Sequence, residues 1–96
     1  MKIKLDEYTA NIIIKALYNY RTYFDEDSFK NINKLTLYLI DKTKSTPTNR
    51  KKKIVISENE IKLIEKCLIK WRNDEIKKNN ENSVFVIGEI LAELLS

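Results

Sequence analysis

The 96-residue chain has no histidine, one cysteine, one glycine and one proline. Without histidine, nucleophilic catalysis through a histidine base is excluded. With Cys67 as the sole thiol, neither a disulfide framework nor a structural zinc site has a ligand set. A single glycine, Gly88, excludes phosphate-binding and dinucleotide-binding loops, which need several. The start, Met1 to Glu7, lacks the apolar run and small-residue cleavage site of a signal peptide, and no uncharged stretch reaches membrane-spanning length. A cytoplasmic location, in a bacterial or phage-infected bacterial cell, is therefore expected, with no membrane partner.

What is present is a globular composition: 43% hydrophobic and 33% charged residues, with a formal net charge of +4. The length suits one small domain with one core. Cys67, between Ile64, Leu68 and Trp71 in a helical pattern, reads as a buried structural thiol.

The chain also repeats itself. IKLDEYTANIIIKALYNYR, residues 3–21, aligns without gaps to IVISENEIKLIEKCLIKWR, residues 54–72, with identities at Ile3/Ile54, Glu7/Glu58, Ile13/Ile64, Lys15/Lys66, Leu17/Leu68 and Arg21/Arg72. Each copy opens with β-branched or alternating apolar residues, Ile3 and Leu5 or Ile54 to Ile56, which suit a short strand. Asp6 and Ser57 are N-caps for the helices that follow, and Ser57 with Glu60 makes a capping box. Ala10, Ile13, Leu17, Tyr20 and Phe24 form one apolar face, and Ile61, Ile64, Leu68 and Trp71 another. The first helix is expected to end near Phe24, before Asp25-Glu26-Asp27, because acids oppose the dipole at a helix C-terminus. Asp27 or Ser28 would cap the next helix.

After a four-residue slip, Phe29, Ile32, Leu35, Leu39 and Ile40 match Val84, Ile87, Ile90, Leu94 and Leu95, with the last helix expected over 83–96. The expected fold is α+β and mostly helical. Two strand-helix-helix halves, 1–42 and 54–96, pack by a pseudo-twofold as four helices with a short two-stranded antiparallel ribbon. A swapped homodimer is the competing arrangement.

A linker, 43–53, joins the halves and holds the excess charge: five cations and no acid, against nets of +1 and −2 for the halves. Ser45-Thr46-Pro47-Thr48-Asn49 supplies turn residues, and Arg50, Lys51, Lys52 and Lys53 are candidate phosphate contacts. No stacking residues or reading element accompany them in the sequence. Asp25-Glu26-Asp27 lacks the glycine-bearing loop of a calcium site and reads as a helix start. Neither a metal nor an organic cofactor is expected, and the chain is read as a non-enzyme.

Seven of the nine aromatics precede residue 40, which makes the first half the richer in contact-forming side chains. Ile14, Tyr18 and Arg21 share a helical flank, and Leu37 with Tyr38 forms a second patch; tyrosine and arginine anchor interfaces. These five are the candidate partner-binding residues. In size and composition the chain resembles the small accessory proteins that phages and mobile elements encode against host machinery, some of which inhibit CRISPR nucleases. The resemblance implies a protein-binding module acting on a larger protein or nucleoprotein complex. A nucleic-acid-binding regulator using the basic linker and a homo-oligomeric scaffold, including a homodimer, stay open beside it.

Overall fold

The computed structural model describes residues 2–44 and 52–95. The element order is β1 (Lys2–Leu5), α1 (Glu7–Tyr20), α2 (Glu26–Lys44), β2 (Lys52–Val55), α3 (Glu58–Lys77) and α4 (Glu81–Leu95). The described chain is thus mostly helical, as the apolar periodicity requires, with one two-stranded antiparallel sheet. Its register pairs Lys2 with Val55, Ile3 with Ile54, Lys4 with Lys53 and Leu5 with Lys52.

Local chemistry sets the helix starts. The Thr9 N–H donates to Asp6 Oδ1 at 2.7 Å, and Ser57 and Glu60 exchange the two bonds of a capping box. Beyond α3, Asn79 takes a left-handed φ of 58°, which asparagine tolerates better than most side chains. There the Asn80 N–H reaches back to the Glu75 carbonyl, closing off α3 before α4 begins.

α1 packs against both α2 and α3, and α3 against α4. One buried cluster draws on every element: Leu5, Ala10, Ile13, Leu17, Ile32, Leu35, Leu39, Ile54, Ile56, Ile64, Leu68, Ile87 and Leu94 are among its members. Each large aliphatic side chain fully removed from water contributes about 1.5–3 kcal/mol. The ribbon can therefore be short, because Ile3, Leu5 and Ile54 turn one face onto the helices.

Several boundaries differ from expectation. α1 stops at Tyr20, not near Phe24, because Asp25 is the cap of α2: its Oδ1 accepts from the Ser28 N–H at 2.7 Å. Asp27 and Ser28 therefore lie inside the first turn, where Glu26 and Asp27 meet the positive end of the helix dipole. Residues 21–24 form a turn in which Phe24 folds back onto the core. β2 begins at Lys52 and ends before Ile56, which is buried outside the ladder. α4 starts at Glu81 instead of Ser83. Thr43 and Lys44 belong to α2 and Lys52 and Lys53 to β2, so 45–51, which lies outside the described residues, is what joins the two elements.

The core face differs at its edges too. Ile40 and Leu95 are exposed, each standing about 100° around its helix from the buried Leu39 and Leu94. Thr36 and Leu91 are buried in addition, and the Thr36 hydroxyl satisfies itself on the Ile32 carbonyl at 2.7 Å. Tyr20, Phe24, Phe29, Trp71 and Val84 are half-buried.

Candidate partner-binding surfaces

On α1, Tyr18 is exposed and Ile14 is half-buried against the core. One turn on, the Arg21 guanidinium lies 3.9 Å from the Tyr18 ring centroid and donates to the Tyr18 carbonyl. Tyr18 and Arg21 thus form one preorganised pair, held by a cation–π contact and a helix-end hydrogen bond. On α2 the neighbours diverge. Leu37 is 68% exposed, whereas Tyr38 is half-buried and donates its hydroxyl to the Val55 carbonyl at 2.9 Å, tying α2 to β2. Lys42 Nζ stands 5.7 Å from the Tyr38 ring centroid.

Of the four cations in the basic run, Lys53 is exposed on the ribbon opposite Lys4, and Lys52 pairs through its main chain with Leu5. Arg50 and Lys51 lie outside the described residues.

A broader apolar surface lies on α3 and α4. Phe85 is 66% exposed and Leu95 68%, and with Gly88 and Ala92 between them they share one side of α4. The opposite side of the same helix is buried through Ile87, Ile90, Leu91 and Leu94. Ile76 of α3 joins Val84 and Phe85 around an open groove of about 390 Å³ at the α3–α4 turn. Leu95 lines a second groove, of about 370 Å³, with Ile61, Glu65 and Lys62. A third hollow, of about 260 Å³, is walled by Tyr8, Ile12, Trp71 and Val86 where α1, α3 and α4 meet. The sequence carried a signal for this surface: the charges between Glu81 and Leu95 are three glutamates, so α4 is apolar well beyond the width one core contact uses.

Polar groups beside these surfaces are tied down. Asp74 accepts from Lys70 Nζ at 2.9 Å and from the Tyr20 hydroxyl at 2.8 Å, which hold its carboxyl below the usual aspartate range. The same Lys70 bond raises the ammonium's pKa, and its Nζ stands 4.7 Å from the Tyr23 ring centroid. The buried Glu75 accepts from the Trp71 indole N–H at 2.9 Å. Arg72 Nε is buried without a hydrogen-bond partner among the described residues. Burial pushes the Cys67 thiol up to about 12, so it is a packing group at neutral pH. Asp25 spends its carboxylate on the α2 cap, and no group of three metal-ligating side chains gathers among the described residues. No helix among them is long and apolar enough to cross a membrane.

No family model, curated protein or solved structure matches this chain, so the bearing on function comes from these surfaces.

Proposed function

We propose that the chain is a non-enzymatic protein-binding module that docks a larger protein or nucleoprotein complex through the outer side of α3 and α4. One observation carries this reading: α4 buries one apolar face in the core and presents a second, Phe85, Ala92 and Leu95 with the half-buried Gly88 between them, on its outer side. Exposed phenylalanine and leucine side chains on one helix side, flanked by grooves, match the helix-in-groove mode of partner recognition. Tyr18 with Arg21, and Leu37 with its neighbour Tyr38, offer additional contacts from the first half. Small size and a composition rich in lysine, asparagine and isoleucine favour an accessory protein of a phage or mobile element that modulates a host complex.

The same reading takes the two strand-helix-helix halves as pseudo-twofold copies. Supporting it, α1 and α3 begin at Glu7 and Glu58, and α2 and α4 at Glu26 and Glu81, spacings of 51 and 55 that follow the sequence alignment and its four-residue slip. On that view, residues that differ between halves mark acquired contacts.

The test is affinity capture from a bacterial host with the wild type, a Phe85→Ala/Leu95→Ala variant and a Tyr18→Ala/Arg21→Ala variant, each first checked by thermal unfolding. The α4 variant is expected to retain its melting temperature and lose the captured partner. Capture of the same partner by a folded α4 variant would sink the assignment of this face. Recovery of the chain alone, at twice its mass in solution, would move the function to homo-oligomeric scaffolding.

A further inference from the structure

Strand pairing brings together cations that are half a chain apart. Along β1 and β2, side chains alternate between faces: Leu5 and Ile54 are buried and Ile3 packs on the core, while Lys2, Lys4, Lys53 and Val55 point outward. The register sets Lys4 directly opposite Lys53 and Lys2 opposite Val55. Directly opposed side chains have Cβ atoms about 4.5–5.5 Å apart, a placement that is destabilising for like charges. Lys2 and Lys4, two residues apart on one strand, stand about 7 Å from each other. Among the described residues no ion pair neutralises any of the three, and the outward positions of the ribbon include no acid. Three ammonium groups therefore act within roughly one Debye length, as a unit.

We propose that this outer face of the ribbon is a contact site for nucleic-acid phosphates, independent of base sequence. The inference goes beyond the protein-binding reading and does not rest on it. A duplex offers about six phosphate charges over 10 Å of its axis, enough for each of three lysines this close together to meet a phosphate of its own. A two-stranded ribbon also has the width that the major groove admits. Beside β2, Tyr38 is anchored to the Val55 carbonyl, which sets an aromatic ring at the ribbon's margin. A membrane surface fits less well, because the face presents a single apolar side chain, Val55, where interfacial attachment needs apolar burial as well as charge.

The experiment measures anisotropy of labelled 20-base-pair duplex DNA, and of single-stranded DNA and RNA of equal length, against the full chain at 50–200 mM salt. Phosphatidylcholine vesicles with and without phosphatidylserine are run in parallel. Binding is expected with log K falling against log salt by about 2.7 for the three contacts. Lys2→Gln/Lys4→Gln/Lys53→Gln should weaken binding about tenfold or more at 50 mM and flatten that slope by two or more. A control of equal charge loss at the exposed Lys30, Lys34 and Lys62 should stay within about threefold. Lys4→Gln alone, should the triple fail to fold, should flatten the slope by about one. Equal losses in both triples, no binding of any nucleic acid by the wild type at 50 mM, or a ribbon-dependent preference for phosphatidylserine vesicles would each overturn the proposal.

Discussion

The Tyr20 hydroxyl donates to Asp74 Oδ2 at 2.8 Å, linking the end of α1 to the last turns of α3 across 54 positions of sequence. Asp74 also holds Lys70, whose ammonium covers Tyr23, so one carboxylate fixes α1, the turn after it and α3 together. Tyr20→Phe deletes the hydroxyl and keeps the packed ring; a loss of about 1 kcal/mol is expected, since the partner is ionised but only partly buried. Asp74→Asn should cost at least as much, because Lys70 loses its partner too. A double-mutant cycle by urea unfolding should give a coupling of about 0.5–1.5 kcal/mol, and strictly additive losses would show that the bond contributes nothing.

Stability should fall at both ends of the pH scale, for opposite reasons. Asp25, lowered by its bonds to Ser28, and Asp74, lowered by Lys70 and Tyr20, have folded pKa values below their ordinary 3.8. Their contribution is present above that value and is lost as pH falls through the depressed values. Cys67, raised by burial from 9.0 to about 12, and Tyr20, raised from 10.0 to about 12 by burial and by Asp74, work in the other direction. Both favour the folded state while neutral, an advantage complete below their ordinary values and lost as pH climbs toward 12. Thermal midpoints across pH should therefore decline steeply above pH 9, and Cys67→Ala should make that decline shallower by about one proton. In the native wild type, a thiol reagent should react only as fast as the protein opens.

The helices were legible because they rest on local chemistry: Asp6, Ser57 and Glu60 cap where their side chains can reach, and apolar residues at helical spacing make a face. Their margins were not. The acids of Asp25-Glu26-Asp27 predict an end of the first helix near Phe24 and a cap at Asp27 or Ser28, whereas Asp25 itself caps α2 and residues 21–24 form a turn. The site was least legible, because it depends on tertiary placement. Tyr38 looks like a free aromatic until strand β2 arrives to accept its hydroxyl bond. Lys2 and Lys4 look like ordinary surface lysines until the register sets Lys53 beside them.

Adjacent residues on α4 and on α2 provide a direct check of which helix faces hold the fold. Leu94 is 6% exposed and Leu95 is mostly in water; Leu39 is fully buried and Ile40 is exposed. Leu94→Ala and Leu39→Ala should each cost about 2–5 kcal/mol through lost transfer energy and the cavity left behind. Leu95→Ala and Ile40→Ala should fall within about 0.5 kcal/mol of wild type. Chemical denaturation of the four variants measures the contrast. A large loss at Leu95 would place it in the core and remove it from the docking face.

Gly88 separates the demands of folding from those of binding. It lies inside α4 with no positive φ, and a Cβ added there meets nothing within 4 Å. Helix interiors disfavour glycine because the unfolded chain loses more freedom on ordering it, so Gly88→Ala should stabilise by about 0.5–1 kcal/mol. Yet Gly88 sits between Phe85 and Ala92 on the exposed side of α4, where the missing side chain lets another backbone approach closely. If a partner helix packs there, Gly88→Ala should raise the melting temperature while weakening capture, and a larger residue such as Gly88→Leu should abolish capture in a chain that still folds. Thermal unfolding and partner capture on the same preparations give both readouts. Undiminished capture by Gly88→Leu would place the contact elsewhere on the face, leaving Gly88 a helix position with stability still to gain.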